Sequence, residues 1–498
     1  MMLFSSLVSG RSRFFGVKLY ALSVVILSAV AFAGTIPNLF EFSDPSGKVA
    51  TFKDPGALDT SSAFFQVLGT NGRSCATCHI ASEAMGLSAA GAQARFVASN
   101  GTDPLFAPVD GANCSDAQTG DAAAHSLMLQ NALVRVAITL SAVRQFSISA
   151  VNDPYGCALV TDPNTHDVTA SVYRRPLPAT NLRFLSTVMF DGRETIVPLN
   201  DPKTFEANLR TDLAHQAMDA TLGHAQALAS PSAEQLADIV NFELGLSSAQ
   251  ARDNFAGVLN AQGANGGAHN LSGQNYYPGI NDSLGADPKG VKFSPTIFAL
   301  FSNWSQLPNA GHDSQSASRE DIAAGEELFD SLPISITGVR GLNDNAGLGR
   351  PAMIIGTCGT CHDTPNVGNH SLPLPLDIGT GRSAAHETDA AIAAALGELS
   401  FPDLPVYELR GCPDPVHPGQ TLAPFFTTDP GKALLTGQCA DINRIKGPIL
   451  RGLAARAPYF HNGAAATLDE VIDFYNQRFS MGLTAKQHAQ LVAFLKSL

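Results

Sequence analysis

The motif Cys-x-x-Cys-His occurs twice in the chain and carries its most specific chemistry. The two copies consist of Cys75, Cys78 and His79, and of Cys358, Cys361 and His362. Two thiols one helical turn apart can add to the two vinyl groups of one haem, while the adjacent imidazole reaches the iron. Eight cysteines and thirteen histidines in 498 residues would supply on the order of 0.003 copies by chance. A redox dithiol or half of a zinc site is the alternative, but zinc would need further Cys or His ligands at close spacing. The motifs predict two covalently bound haem c groups, with His79 and His362 as iron ligands.

The four cysteines outside these motifs predict two disulfides. We expect Cys114 to pair with Cys157, and Cys412 with Cys439, because each pair lies within one domain and would close a long loop rich in Pro and Gly. Free or differently paired thiols are the alternative.

Residues 1–33 have the pattern of an export signal. Arg11, Arg13 and Lys18 precede an apolar run at 19–30, and Ala-Phe-Ala then ends at position 33. The run is too short for a comfortable membrane span, although an uncleaved anchor is the alternative. We therefore expect a periplasmic protein that is not integral to the membrane after cleavage.

The charge of the chain restricts its partners. Without residues 1–33 it would have 28 basic and 44 acidic side chains, a net charge of about −16. This balance argues against a nucleic acid partner. An acidic surface would suit a basic electron-donor protein.

The elements that must position the two motifs are predicted to be helices. Ser232, Thr467 and Thr484 each precede a Gln or Glu by three residues and open an apolar pattern of helical spacing, and Ser318 opens another. Strand-like alternation is scarce. The sequence therefore predicts a mainly α fold: two cytochrome-c-like haem domains with long irregular loop insertions.

The expected domains are residues 34–315 and 316–498, one for each motif. The Gly- and Asn-rich stretch 259–290 is interpreted as a linker or surface excursion. The regions 100–180 and 402–430 are interpreted as inserted loops.

Further sequence segments occur in a characteristic order around the two motifs. They are Asn181, Phe190-Asp191-Gly192-Arg193, Leu213-Ala214-His215-Gln216-Ala217, Lys446-Gly447-Pro448-Ile449-Leu450-Arg451 and Ala457-Pro458-Tyr459-Phe460-His461-Asn462-Gly463. Because these segments occur in this order, the chain resembles the bacterial di-haem cytochrome c peroxidase and MauG family. The resemblance covers most of residues 34–498. The resemblance implies that the first haem reacts with peroxide and that the second passes electrons.

The resemblance also bears on the sixth ligand of the second iron. Spacing alone leaves Met481, His461 and Tyr475 as candidates. In the family, the residue seventeen positions after the Pro of Pro-Tyr-x-His-x-Gly is the ligand, Met in the peroxidases and Tyr in MauG. That position is Tyr475 here, which the resemblance favours over Met481.

Two departures from the family affect the expected catalytic residues. Phe190 stands where the family has a Trp between the haems, and Gln226, ten residues after Gln216, replaces the distal catalytic Glu. An amide cannot act as a general acid or base at neutral pH. His224 could take over proton transfer, because imidazole titrates in the useful range. His166 is an alternative that would close the first iron as a sixth ligand.

The family also holds a calcium ion between its domains. The resemblance implies that the carbonyl groups of Arg456 and Pro458 would bind it, although Arg175 stands where the peroxidases have an Asn ligand.

These observations together predict a periplasmic di-haem peroxide-reducing oxidoreductase. Its electrons would come from a small cytochrome or cupredoxin, or from an organic substrate. The alternatives are a di-haem electron-transfer cytochrome without enzymatic activity, and haem oxygenase-type chemistry on an organic substrate.

Overall fold

The computed structural model describes residues 34–118, 120–307 and 313–498, so the predicted export signal lies outside the described residues. Short helices with long connections between them run through this part of the chain. The α-helices are α1 (Ala89–Ser99), α2 (Ser126–Asn131), α3 (Phe205–Gly223), α4 (Ala233–Leu244), α5 (Ala268–Ser272), α6 (Ser314–Ser331), α7 (Ala390–Leu396), α8 (Ala433–Thr436), α9 (Leu468–Arg478) and α10 (Ala485–Lys496).

Short antiparallel strands form several small sheets. The strands are β1 (Thr35–Ile36), β2 (Phe42–Asp44), β3 (Gly47–Lys53), β4 (Leu58–Asp59), β5 (Val134–Thr139), β6 (Ser147–Asn152), β7 (Leu159–Thr161), β8 (Val168–Arg174), β9 (Leu246–Asp253), β10 (Gly257–Val258), β11 (Ile334–Thr337), β12 (Met353–Gly356), β13 (Val406–Arg410) and β14 (Phe425–Thr427). They pair in the orders β1-β4, β10-β9-β3-β2, β11-β12, β14-β13-β6 and β5-β8-β7.

The prediction of a mainly α fold is wrong. The structure is 31% helical and 16% strand, so the fold is mixed α/β. Sequence patterns missed the sheets because the strands are short and some of their partners lie far away in the chain. Thr51 of β3 pairs with Ser248 of β9, 197 residues later, and Ser147 of β6 pairs with Arg410 of β13 at a separation of 263 residues. The regions 100–180 and 402–430, interpreted as loops, contain six of these strands.

Three of the four predicted helix starts are confirmed. The side chains of Ser232, Thr467 and Thr484 each accept a hydrogen bond from the backbone N–H three residues later, which satisfies a donor that the first turn leaves free. The start predicted at Ser318 is wrong. Helix α6 begins four residues earlier, because the carboxylate of Asp313 accepts the hydrogen bond that caps it.

Helices α6, α9 and α10 build the core beside the second haem motif. The close approach of α6 to α10 depends on Gly325, where a Cβ atom would lie 2.0 Å from the carbonyl oxygen of Gln490. Phe329 of α6 then reaches the imidazole of His362, with 6.0 Å between the ring centres. The helix pair therefore forms one wall of the second site.

The interpretation of residues 259–290 as a linker or surface excursion is also wrong. Leu259, Ala268 and Leu271 are fully buried and contribute to two apolar clusters of the core. Gly and Asn are frequent there because the chain turns often, not because it is solvated.

Both predicted disulfides are confirmed. Cys114 bonds to Cys157 and Cys412 bonds to Cys439, with Cα–Cα distances of 6.1 and 5.6 Å. The second disulfide joins the apolar cluster around β5, β8 and β13.

Residues 34–498 pack as one unit. The division into haem domains at residue 315 stays a prediction. In the described ranges, no helix combines the length and the apolar character that a bilayer crossing requires.

Candidate functional site

Each Cys-x-x-Cys-His motif is a single 3-10 turn followed by its histidine. In the first motif, the Nδ1 atom of His79 lies 3.2 Å from the carbonyl oxygen of Met85. In the second motif, Nδ1 of His362 lies 2.6 Å from the carbonyl oxygen of Gly368. A carbonyl oxygen can only accept, so Nδ1 carries the proton and Nε2 keeps its lone pair for a metal. Burial lowers the pKa of His79 to about 4 and also lowers that of His362, so both rings stay neutral.

A cavity opens at each motif. Cys78 and His79 line the first cavity, which has an empty volume of about 1080 Å³. Cys358, Cys361 and His362 line the second cavity, which has an empty volume of about 1750 Å³. Most other residues around both cavities are apolar, and the four motif thiols are outside the disulfides. Free thiols, a metal-competent imidazole and an apolar cavity at each motif are the donor set and space that haem c requires.

His224 lies at the wall of the first cavity, where the resemblance had suggested a proton-transfer role. It follows the last residue of α3, and its Nδ1 atom is hydrogen-bonded to a carboxylate oxygen of Asp110. The other oxygen of Asp110 is paired with the guanidinium of Arg73, and both of these side chains are buried. Burial by itself would raise the pKa of Asp110, but the hydrogen bonds and charges of His224 and Arg73 outweigh it and hold that pKa below its usual range. Asp110 is therefore an anion that fixes the orientation of the imidazole.

The residues just before the first haem motif hold His224 in place. The N–H of Thr70 donates to the carbonyl of Ala225 at 3.0 Å, and the amide of Asn71 donates to the carbonyl of His224 at 2.8 Å. The two segments can approach this closely because Gly69 has no side chain: a Cβ there would lie 1.8 Å from the Ala225 oxygen. The loop that presents the haem thiols thus also positions His224.

Of the other four candidate residues of the first site, two line the first cavity and two do not. Gln216 and Phe190 line the first cavity. Gln226 is exposed outside it, and its side-chain oxygen accepts a hydrogen bond from Asn71 at 3.3 Å. His166 is exposed in the turn between β7 and β8 and lines neither cavity. Of His224 and Gln226, only His224, the residue suggested for proton transfer, lines the cavity, and the catalytic roles stay predictions.

All three candidates for the sixth ligand of the second iron border the second cavity. Tyr475, Met481 and His461 line it, and Phe190 separates it from the first cavity because it lines both. Burial raises the pKa of Tyr475 above its usual value and lowers that of His461 to about 4. The structure therefore keeps Tyr475 among the candidates without choosing between them.

The residues suggested for calcium also lie at the second cavity. Arg456 and Pro458 both line it. The guanidinium of Arg456 donates to the carbonyl of Ile449 at 2.8 Å and to that of Arg451 at 3.3 Å. Calcium between the domains stays a prediction.

Several residues of the site were missed from sequence. Arg73 and Asp110 are two of them, and no local pattern marks Asp110, which lies 114 residues from His224. Glu243 is a third. It lines the first cavity, one of its oxygens has no hydrogen-bond partner, and burial raises its pKa to about 8. Glu243 could have been found, because it follows Ile239 by four residues and Val240 by three on the apolar face of α4.

Known proteins resemble part of this chain. A cytochrome-c peroxidase named IdrP2 from Denitromonas iodatirespirans is 42% identical over 78 residues, which are 14% of this chain and 21% of that protein. Cytochrome c551 peroxidase from Nitrosomonas europaea is 36% identical over 78 residues, 15% of this chain and 23% of that protein. Over this segment the chain is similar to bacterial cytochrome c peroxidases. The chain spans about a fifth of the length of these curated relatives. No family model matches it.

This relationship confirms the resemblance to cytochrome c peroxidases and supports haem c as the cofactor. The closer likeness to MauG, the number of haems and the calcium ion stay predictions.

Proposed function

We propose that the chain is a periplasmic di-haem c-type peroxidase, in which hydrogen peroxide is reduced in the first cavity and electrons arrive through the second. One arrangement supports this function above all: a histidine fixed by a buried carboxylate at the wall of the cavity that contains His79. A purely electron-carrying site needs no such group, because it transfers no proton to a substrate.

Cys75, Cys78 and His79 would hold one haem, and Cys358, Cys361 and His362 the other. When bound, these haems supply the redox-active iron at which the oxygen–oxygen bond is broken and the electrons that break it. The reaction consumes one peroxide, two electrons and two protons, and it releases two waters.

His224 moves the proton in this scheme. Its Nδ1 atom is already hydrogen-bonded to Asp110. Nε2 is therefore the atom that accepts a proton from one peroxide oxygen and delivers it to the other. The Asp110 carboxylate stabilises the imidazolium that forms between these two steps, and Arg73 keeps Asp110 charged in its buried position. Gln216 at the cavity wall could donate a hydrogen bond to an oxygen of the peroxide substrate.

In this proposal the second cavity holds the haem that transfers electrons to the first. Phe190 lies in the wall common to both cavities, so electrons would pass through packed apolar side chains instead of an indole. Tyr475 is the ligand we favour for the second iron. The donor is a small basic cytochrome or cupredoxin, which the net charge of about −16 without residues 1–33 would attract.

The electron paramagnetic resonance spectrum of the ferric protein, recorded before and after peroxide, tests this function. We expect a high-spin signal from one of two haems and its loss when peroxide is added to the half-reduced protein. Two low-spin haems that peroxide leaves unchanged in that state would refute the peroxidase and favour a di-haem electron-transfer cytochrome. A stable oxygen adduct without peroxide turnover would favour an oxygenase instead.

A further inference from the structure

The two cavities share one wall. Five residues line both of them: Arg175, Pro176, Leu177, Phe190 and Lys446. Three of these side chains are apolar and two are cations. Both cations are buried, with 6% of Arg175 and 5% of Lys446 exposed. A positive charge in such a place requires an explanation, because burying it without an anion is unfavourable.

In the part of the chain that the structure describes, neither cation has a carboxylate within ion-pair distance. The Nζ atom of Lys446 donates to the main-chain carbonyl of Thr187 at 3.1 Å. Arg175 donates through Nη2 to the carbonyl of Leu87, and its Nη1 atom has no hydrogen-bond partner. Among the described residues, neither side chain forms an ion pair. Burial accordingly lowers the pKa of Lys446 to about 8 and that of Arg175 to about 9.

The neighbouring arginine demonstrates that the fold can neutralise a buried cation. Arg174 donates to both oxygens of Asp429, at 2.6 and 2.9 Å, and is also paired with Asp191. These groups are as buried as the two cations. Arg175 and Lys446 lie in the wall between the cavities without such a paired carboxylate, and the Nη1 atom of Arg175 has no partner. Their donors are therefore available to whatever fills the cavities.

We infer that Arg175 and Lys446 form one binding site for the carboxylate groups of both haems. This inference rests on the proposed function, because it requires a haem in each cavity. Each haem has two carboxylate side chains, and a guanidinium and an ammonium group are the strongest hydrogen-bond donors for them. The cations lie in the common wall, so carboxylates from either side can reach the same pair.

One electrostatic consequence distinguishes this arrangement from two separate haem sites. A cation near a haem favours the reduced form, because reduction removes a positive charge from the iron. Loss of Lys446 must then lower the reduction potentials of both haems together. A lysine that contacts only one haem would move the potential of that haem clearly more than that of the other, because the interaction weakens with distance.

Redox titration of Lys446→Met by visible spectroscopy, without peroxide or donor, tests the inference. We expect the reduction equilibrium of each haem to move at least tenfold towards the oxidised form, which is about 59 mV for a one-electron couple. Lys446→Arg keeps the charge, so both potentials should stay near those of the unmodified protein. Lys486→Met removes an exposed lysine from α10 and is the matched control.

A shift of one potential, or of neither, would overturn the inference. Arg175→Gln provides a second, independent test, and it must also lower both potentials if the site is shared. A count of haems per chain precedes each titration, so a variant that has lost a haem is recognised. The outcome is separate from the proposed function: an inactive protein with two shifted potentials keeps the inference, whereas an active one with unshifted potentials refutes it.

Discussion

Replacement of His224 by Gln separates proton transfer from every other property of the first cavity. Glutamine keeps the approximate size and a hydrogen-bonding group, but it cannot accept and return a proton at neutral pH. A positioned general acid–base group contributes roughly 10²- to 10⁴-fold, so we expect kcat/KM for peroxide to fall by that factor. Haem content should not change, because His224 is no part of either motif.

The effect of Asp110→Asn can be estimated from the contacts of Asp110. The variant removes one charged hydrogen bond to the imidazole. Such a bond contributes about 1.5–3 kcal/mol, or roughly 10- to 150-fold in rate at 1.36 kcal/mol per factor of ten. The loss should therefore be smaller than that of His224→Gln. Stability should also fall, because Arg73 stays buried without its anion.

Stopped-flow mixing of the half-reduced protein with peroxide measures these rates. The matched control is His417→Gln, because Nδ1 of His417 also meets a carboxylate, that of Asp414 at 3.0 Å, but on the surface with 63% of its side chain exposed. We expect no change there and only a small one for Gln226→Ala. A His224→Gln variant with the unmodified rate, or a Gln226→Ala variant that loses as much, would refute the assignment of proton transfer to His224.

Three further perturbations test the fold. Arg174→Met should lower the free energy of unfolding by about 3–5 kcal/mol, because the buried carboxylate of Asp429 loses its arginine partner and that of Asp191 keeps only Arg193. Arg210→Met, at an exposed ion pair, should change that free energy by less than about 1 kcal/mol, and urea titration compares the two variants. Removing the Cys412–Cys439 disulfide, whose residues are 27 positions apart, should cost about 3.5 kcal/mol of chain entropy, visible as a lower urea midpoint than in the intact protein. Burial raises the pKa of Glu243 to about 8 in the folded chain, from an ordinary value of about 4.5, so the folded chain binds the extra proton and the free energy of unfolding should fall as the pH rises from about 4.5 to 8, by roughly 4 kcal/mol from this group. Burial also raises the pKa values of Glu83 and Asp330 to about 7, so Glu243→Gln should reduce the pH dependence of stability by the share of Glu243 alone, and an unchanged slope would contradict the assignment.

Local sequence patterns were sufficient for features that depend on neighbouring residues. The caps of α4, α9 and α10 involve residues three positions apart, so they could be predicted. The haem motifs are equally local. The disulfides could be predicted because each closes a loop within one half of the chain.

Features that depend on distant residues could not be predicted in this way. The sheets join strands separated by up to 263 residues, and without their partners these strands look like loops. The position of His224 was suggested by the resemblance to a family. Its partner Asp110 lies in a segment with no regular structure, so only the folded chain brings the two together.

The pairing of β6 with β13 imposes an order on folding. Tyr407 of β13 donates to the carbonyl of Ala158, 249 residues earlier in the chain, so the earlier segment is synthesised long before its partner. Until β13 arrives, β6 lacks its partner strand in the sheet, so its unpaired backbone groups can associate with other chains. Closing so long a loop also slows the search for native contacts. A chain interrupted between the two haem motifs would therefore lose the pairing of β6 with β13 and keep only that of β13 with β14. Refolding of the intact chain from denaturant should be slow and prone to aggregation.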